Sequence, residues 1–353
     1  MHLLLTGGGT AGHIMPNLAI IESIKKTQPT TKISYIGSYY GLETKLLANS
    51  DVDFYKVHTG KFRRYFSLDN FIDLFKVPVG FFQSLTLIWR IKPDLVFSKG
   101  GFVSLPVVFA AACIGVPIVI HESDSIPGLT TRITAKVAKQ VWADTDIFAK
   151  KFRDFKVVKL PIRQQLFTGD KQVFLTKYSL SSSKPTLLVM GGSLGAGVIN
   201  DFVRQNLPAL LSRFNVVHIA GRGKAVPMVK DGYIQFEYLD QELKDAYAAA
   251  DLILSRSGAS ALSEFSSLKK KAILVPLDYN QSRGEQILNA TKYAETSAAE
   301  VILEKDLSYE SFESALLNLE NNSKLDLKDT NQVRQSVVSE LLFSMIPDSK
   351  NKV

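Results

Sequence analysis

At 353 residues with a formal net charge of +8, the chain is too long for one ordinary core and reads as about two domains. Its 46% hydrophobic and 22% charged residues exclude a disordered or fibrous protein, and a single cysteine excludes an intrachain disulfide framework. The positive balance points to anionic partners: phosphates, nucleic acid or an acidic membrane surface.

The chain opens on a short strand, HLLLT, that runs directly into glycines with no basic stretch ahead of it, so no signal peptide is expected. The loop at 7–13, GGGTAGH, precedes a helix predicted over 14–26, with Pro16 near its first turn, where proline is tolerated. Gly7, Gly9 and Gly12 satisfy G-x-G-x-x-G, but a dinucleotide site also needs an acidic residue after the second strand. That strand, expected at 32–36, ends in Gly-Ser-Tyr-Tyr, which speaks against a nicotinamide cofactor. A helix at 42–49 and a strand at 54–58 follow. Residues 61–92 interleave Lys61, Arg63, Arg64, Lys76, Arg90 and Lys92 with Phe62, Phe71, Phe75, Phe82 and Trp89. Such a basic, aromatic, amphipathic stretch suits either the headgroup region of an anionic bilayer or a packed helix with a solvated basic rim.

A strand at 94–98 leads into a second glycine turn, Lys99-Gly100-Gly101. The uncharged run 101–120 has the length of a membrane span, yet Pro106, Gly115 and Pro117 break it into a helix at 105–114 and a buried strand at 117–120. Cys113 falls in that helix and is expected to be a small core residue in a reducing compartment. After the strand come His121, Glu122, Ser123 and Asp124, a helix from about Pro127, and strands at 140–143 and 156–160. Strands alternating with helices, with Gly, His, Glu and Asp at the strands' carboxyl ends, predict a parallel doubly wound sheet whose site lies at that edge.

Near residue 164 the pattern restarts. A strand at 186–190 meets GGSLGAG and a helix predicted over 198–214; strands at 216–220, 233–239, 251–254 and 272–276 follow, with helices between and after them. The stretch 255–264, SRSGASALSE, follows the third of these strands. Its small residues leave a helix N-terminus uncovered, which suits a phosphate or pyrophosphate. The predicted architecture is therefore α/β, with two Rossmann-like domains, 1–163 and 164–335, facing across a cleft. The segment 336–353 is expected to pack back on the first.

GGGTAGH, HESDSIPG, GGSLGA, SRSGASALSE and SRGEQILNA occur in that order over essentially the whole chain, and together they resemble the MurG family of GT-B glycosyltransferases. The resemblance implies an inverting transfer of N-acetylglucosamine from UDP-GlcNAc to the 4-hydroxyl of the muramyl sugar of lipid I, forming lipid II, without a metal and with no cofactor. It also implies a peripheral seat on the cytoplasmic face of the membrane, with other cell-wall synthesis proteins as further partners. By the same resemblance the second domain binds the donor. Ser193 and the helix opened by Ser257, Gly258, Ala259, Ser260, Ala261 and Leu262 would meet the diphosphate, Glu264 the ribose, the backbone at Leu239 the uracil, and Gln286 and Asn289 the sugar. Arg163 and Asp124 would sit near the nucleotide. Thr10, Ala11 and Gly12 would face the donor from the first domain.

Inverting transfer needs a base for the attacking hydroxyl and charge stabilisation on the departing UDP. His13 and Glu122 are the candidate bases; His13 alternatively places positive charge near the diphosphate or caps its helix. His121 braces the Glu122 loop, and His2, His58 and His218 read as structural. The pairs Asp51/Asp53 and Asp144/Asp146 have metal-type spacing but lack the strand and glycine context, so they read as surface residues. No His/Cys cluster suggests zinc, and no nucleic-acid-binding motif explains the charge. The sequence departs from the family's commoner patterns at Ala11, Phe102, Asp124, Leu160 and Glu285. A GT-B transferase acting on another lipid acceptor, such as a diacylglycerol, is the competing reading.

Overall fold

The computed structural model describes residues 1–48, 50–60, 68–152, 154–192, 195–228, 230–279, 282–321 and 330–345. Among these, two all-parallel sheets form. The first comprises β1 (His2–Thr6), β2 (Lys32–Ser38), β3 (Asp53–Val57), β4 (Leu95–Ser98), β5 (Ile118–Glu122), β6 (Gln140–Ala143) and β7 (Phe155–Val157), in the order β3-β2-β1-β4-β5-β6-β7. The second comprises β8 (Thr186–Met190), β9 (Asn215–Ile219), β10 (Tyr233–Phe236), β11 (Leu252–Ser255), β12 (Ala272–Leu274) and β13 (Ala299–Val301), in the order β10-β9-β8-β11-β12-β13. This is the two-domain Rossmann-like class.

The run Leu3-Leu4-Leu5 explains why β1 is central: all three side chains are fully buried, as a parallel strand covered on both faces requires. Leu3 and Leu5 enter one core with Ile20 and Ile24 of α1 (Ala11–Thr27), while Leu4 enters the opposite core with Val107 of α4 (Ser104–Ile114) and Ile88 of α3 (Leu68–Ile91). Alternation along the strand thus feeds two helical layers. The last described helix, α13 (Thr330–Met345), adds Val337, Val338, Leu341 and Met345 to the Leu3/Leu5 core.

By compactness the chain divides into a unit of residues 1–123, 127–163 and 329–353 and a unit of 124–126 and 164–328. Each sheet reverses its strand order once: between β1 and β4 in the first unit, and between β8 and β11 in the second. At such a switch point adjacent loops diverge at the strands' carboxyl ends and leave a crevice for ligand. The four glycine-bearing loops of the sequence are the loops that follow these four strands.

Several predicted elements shift. Helix α1 begins at Ala11, not 14, so Ala11, Gly12 and His13 supply its first turn and Pro16 lies inside it. The helix expected at 42–49 contracts to α2 (Glu43–Leu46). The one expected at 198–214 divides at Asn206 into α7 (Gly197–Gln205) and α8 (Leu207–Arg213), because Pro208 has no N–H with which to continue the ladder. Cys113, expected in the core, is exposed: it lies in the last turn of α4, beyond the buried Ala110 and Ala111, where Gly115 ends the helix in the left-handed conformation. No described helix is long and apolar enough to cross a membrane.

Candidate active-site loops at the two switch points

In the first unit, the loop after β1 and the loop after β4 touch. A Cβ on Gly101 (φ +80°) would strike the Gly8 carbonyl and stand 3.1 Å from His13 Nδ1, so only glycine allows this approach. Tyr35 Oη donates to the Gly7 carbonyl at 2.5 Å and accepts from Asn17 Nδ2 at 3.2 Å, which ties the loop to β2 and α1. Thr10 holds the extended N-cap conformation of α1 without capping it. Its hydroxyl pairs instead with His13 Nδ1 at 3.0 Å.

His13 is half-buried in the first turn of α1. Burial, and next the charge of Lys99, push its pKa down to about 4, against an opposing pull from Glu122. The imidazole is therefore neutral at pH 7. Lys99 is itself buried where β4 ends. Its charge also reaches Asp144, just beyond β6. Burial acts to raise the Asp144 carboxyl, but the His121 hydrogen bond and charge, Lys99 and Ser123 outweigh it and hold the group below its usual range. Asp144, expected as a surface residue, is thus a shielded carboxylate: His121 Nε2 lies 3.4 Å from it and donates to the Val158 carbonyl at 2.8 Å. The misreading arose because β6 is an interior strand, which the spacing of two aspartates does not reveal.

Glu122, at the end of β5, is committed to its own loop. Its Oε2 accepts from Gly128 N at 2.9 Å and from Thr131 Oγ1 at 2.7 Å, at the start of α5 (Leu129–Thr134). A carboxylate there satisfies donors that a helix start leaves open.

The second unit's switch point is built differently. Helix α10 (Ala259–Ser267) follows β11 with Gly258 as an extended N-cap and no side-chain cap, and a Cβ on Gly258 would meet nothing within 4 Å. Space therefore lies beside Gly258 at the start of this helix, where an anion could be received. Helix α7, after β8, likewise starts without a side-chain cap. Gly195 (φ +67°) closes that loop so tightly that a Cβ would strike the Ala220 carbonyl. Arg256 is spent on structure: Nη1 donates to the Val275 and Pro276 carbonyls at 3.1 and 3.2 Å, and Nη2 to Glu304 Oε1 at 2.5 Å. Ser257 Oγ donates to the Gln286 carbonyl at 2.7 Å, which binds α10's entry to α11 (Glu285–Thr296). Among the described residues, no group of three or more His, Cys, Asp and Glu side chains could hold a metal ion.

Comparison with known proteins gives this geometry a family. The glycosyltransferase family 28 N-terminal domain matches residues 3–143, and the family 28 C-terminal domain matches residues 186–341. A UDP-N-acetylglucosamine–N-acetylmuramyl-(pentapeptide) pyrophosphoryl-undecaprenol N-acetylglucosamine transferase of Oceanobacillus iheyensis is 46% identical over 321 residues, covering 90% of this chain and 89% of its own. The chain belongs to this transferase family. A member from Lachnospira eligens is 43% identical over 90% of each chain. Among solved structures, Acinetobacter baumannii MurG superposes with a TM-score of 0.71 at 23% identity, over 97% of this chain and 99% of that one, a likeness in fold.

The expected site residues of this MurG-family chain distribute as follows. Thr10, Ala11, Gly12 and His13 gather at the first unit's switch point, with Glu122 one strand beyond β4. Ser257, Gly258, Ala259, Ser260, Ala261, Leu262 and Glu264 lie on or before α10 in the second. Leu239 is buried in the loop between β10 and α9 (Leu243–Ala249). Arg163 is buried where the first unit ends. Gln286 Oε1 accepts from Leu277 N at 3.1 Å. Asn289 Oδ1 accepts from Ser125 N at 2.9 Å, and its Nδ2 donates to Asp124 Oδ1 at 3.2 Å and the Ser257 carbonyl at 3.3 Å. Its amide is engaged with protein, and Asp124 serves as one of its partners. Ser193, Phe62, Arg63 and Arg64 lie outside the described residues, as do the side chains of Phe71 and Phe75.

Sequence reasoning quoted Lys99 and read Glu43 as an ordinary helix residue, assigning neither to the site. Lys99 carried a signal, since it stands between a strand end and a glycine turn. Glu43 carried none. Its fully buried carboxylate folds back under the glycine loop, accepting from Ser38 N at 2.8 Å and Ser38 Oγ at 2.6 Å, and stands 2.9 Å from where a Gly8 Cβ would be.

Proposed function

We infer that this protein transfers N-acetylglucosamine from UDP-GlcNAc to lipid I and so forms lipid II for peptidoglycan synthesis. The carrying observation is identity of 43–46% over about nine-tenths of both chains with transferases of that name. The donor side of the reading is supported by the open, uncapped start of α10. Backbone N–H groups there and in the glycine loop before α7 would take up the charge that develops on the departing UDP, a role that needs no metal. Glu264 would accept from the ribose hydroxyls, and Gln286 would read the sugar.

On the acceptor side, His13 is the proton acceptor for the 4-hydroxyl that attacks the anomeric carbon of GlcNAc with inversion. The imidazole is neutral in the free protein and ready to accept. An imidazole whose conjugate acid has a pKa of about 4 is a weak base, but an incoming diphosphate would oppose Lys99 and raise that pKa. Glu122, engaged with the start of α5, fits the bracing role better than the base.

The same reading seats the protein on an anionic membrane surface, at its cytoplasmic face, through α3. Gly80, Ser84 and Ile88 turn that helix's inner face to the core, whereas Val79, Phe82 and Trp89 stand outward, the last two 64% and 71% exposed, with Arg90 beside them. That spacing makes one apolar outer stripe with a basic end. The deciding experiment offers labelled UDP-GlcNAc to a short-chain lipid I analogue and, in parallel, to a diacylglycerol. Product with lipid I alone is expected; product with the diacylglycerol alone would overturn the acceptor assignment.

A further inference from the structure

The donor half of the proposed site rests on a buried phenol. Tyr247 of α9 is fully buried, and its ring meets Phe265 of α10 edge-on, with centroids 6.2 Å apart at 71°. Its hydroxyl donates to Glu264 Oε2 at 2.6 Å and lies 3.6 Å from Sδ of Met190, the last residue of β8. A buried phenol must place its proton on an acceptor or bear the desolvation cost, and a bond to a carboxylate is the stronger, charge-assisted kind. Glu264 and Phe265 are consecutive on α10. One side chain therefore grips both: its ring packs on the second while its hydroxyl holds the first. The terminal torsion of a free glutamate is broad. Here it is confined to orientations that keep Oε2 on Tyr247.

We propose that Tyr247 is a positioning residue that aims the Glu264 carboxylate at the donor ribose, so that selection for the ribose hydroxyls depends on a hydroxyl the donor never touches. The proposal rests on the reading of Glu264 as the ribose partner. Without the phenol the carboxylate keeps its charge but loses the bond that holds Oε2 in place. The effect should then appear in discrimination between nucleotides, not in the chemical step.

The test measures the affinities of UDP, 2′-deoxy-UDP and 3′-deoxy-UDP by calorimetry for the wild-type protein, Tyr247→Phe and Glu264→Ala. Each ratio is taken on one protein preparation, so a change in the folded fraction cancels. The wild type should prefer UDP over at least one deoxy analogue by about tenfold or more, as expected when a buried polar partner is left unmatched. Glu264→Ala should abolish that preference. Tyr247→Phe should reduce it about fivefold or more, while kcat at saturating donor changes less than about twofold. Wild-type discrimination retained in Tyr247→Phe would overturn the inference while leaving the Glu264 reading intact. No preference in the wild type, or a preference that survives Glu264→Ala, would remove the Glu264 reading and the inference with it.

Discussion

The two switch points share one topology and differ in chemistry. In the first unit the loops after β1 and β4 touch each other and carry His13 and Lys99, with His121 and Glu122 at the end of β5 and Asp144 just beyond β6. In the second unit the loops after β8 and β11 carry Gly, Ser and Ala, and what they offer is backbone N–H at two uncapped helix starts. On the proposed reading, the same fold would supply one place where a proton is moved and one where negative charge is held. The contrast shows that strand order determines where a site lies, and the loop side chains determine what it does.

The largest expected break in this contrast is at His13. His13→Ala should lower kcat by about 10²- to 10⁴-fold, the usual worth of a general base, and shift donor affinity less than about threefold; steady-state kinetics with independent UDP-GlcNAc binding would show it. For the wild type, the acid limb of kcat/KM should report the free-protein value near 4. The second unit's histidine has a similar value but no part in the proposed chemistry. His218 is fully buried between Tyr233 Oη at 3.0 Å and Asn200 Oδ1 at 2.9 Å. Burial, then Arg204, push it down to about 4. Because the folded value is below the unfolded one near 6.5, the unfolded chain binds more protons between the two, and stability falls as pH drops from about 6.5 to 4. The loss is of order 3 kcal/mol at most. Urea unfolding at pH 7.5 and pH 5 should show it, and a His218→Gln variant should have a shallower dependence. His13, depressed to the same value, adds a stability slope of the same sign, so only the part removed in His218→Gln belongs to the second unit, and only His13 should also appear in the rate.

Glycines sharpen the comparison at smaller scale. Gly195→Ala forces a side chain into the left-handed region and onto the Ala220 carbonyl, so it should cost about 1–3 kcal/mol in thermal or urea unfolding. Gly258→Ala meets no atom. It should leave the melting temperature within about two degrees yet raise the KM for UDP-GlcNAc roughly tenfold, because the methyl group stands before the helix start. Smallest of all, Phe82→Ser with Trp89→Ser should weaken binding to anionic vesicles a few-fold, and added salt should weaken what remains. Unchanged vesicle binding would remove α3 as the membrane seat.

Most strands were legible in the sequence because a parallel strand covered on both faces reads as a nearly continuous apolar run: β6 and β8 were read to the residue, whereas the three-residue β13 was missed. The glycine loops were legible too, since close approach and left-handed backbone leave few other residues possible. What remained hidden depended on neighbours far away in the chain. Asp144 and Asp146 have metal-type spacing but no glycine context and read as a surface pair, yet His121 and Lys99 meet the first of them from two other strands. Asn289 bonds to Asp124, Ser125 and Ser257, segments that no local pattern relates to it. Tyr247 had the pattern of any core aromatic, and nothing within α9 marked its hydroxyl as the support of a carboxylate 17 residues on. Hydrophobic periodicity and glycine placement are local properties, so the sequence by itself determined two Rossmann-like halves and four candidate loops. Which loops stand at the reversal of strand order, which polar groups are already spent on one another, and which helix starts lack a side-chain cap depend on contacts between segments distant in sequence, and only the tertiary structure decided them.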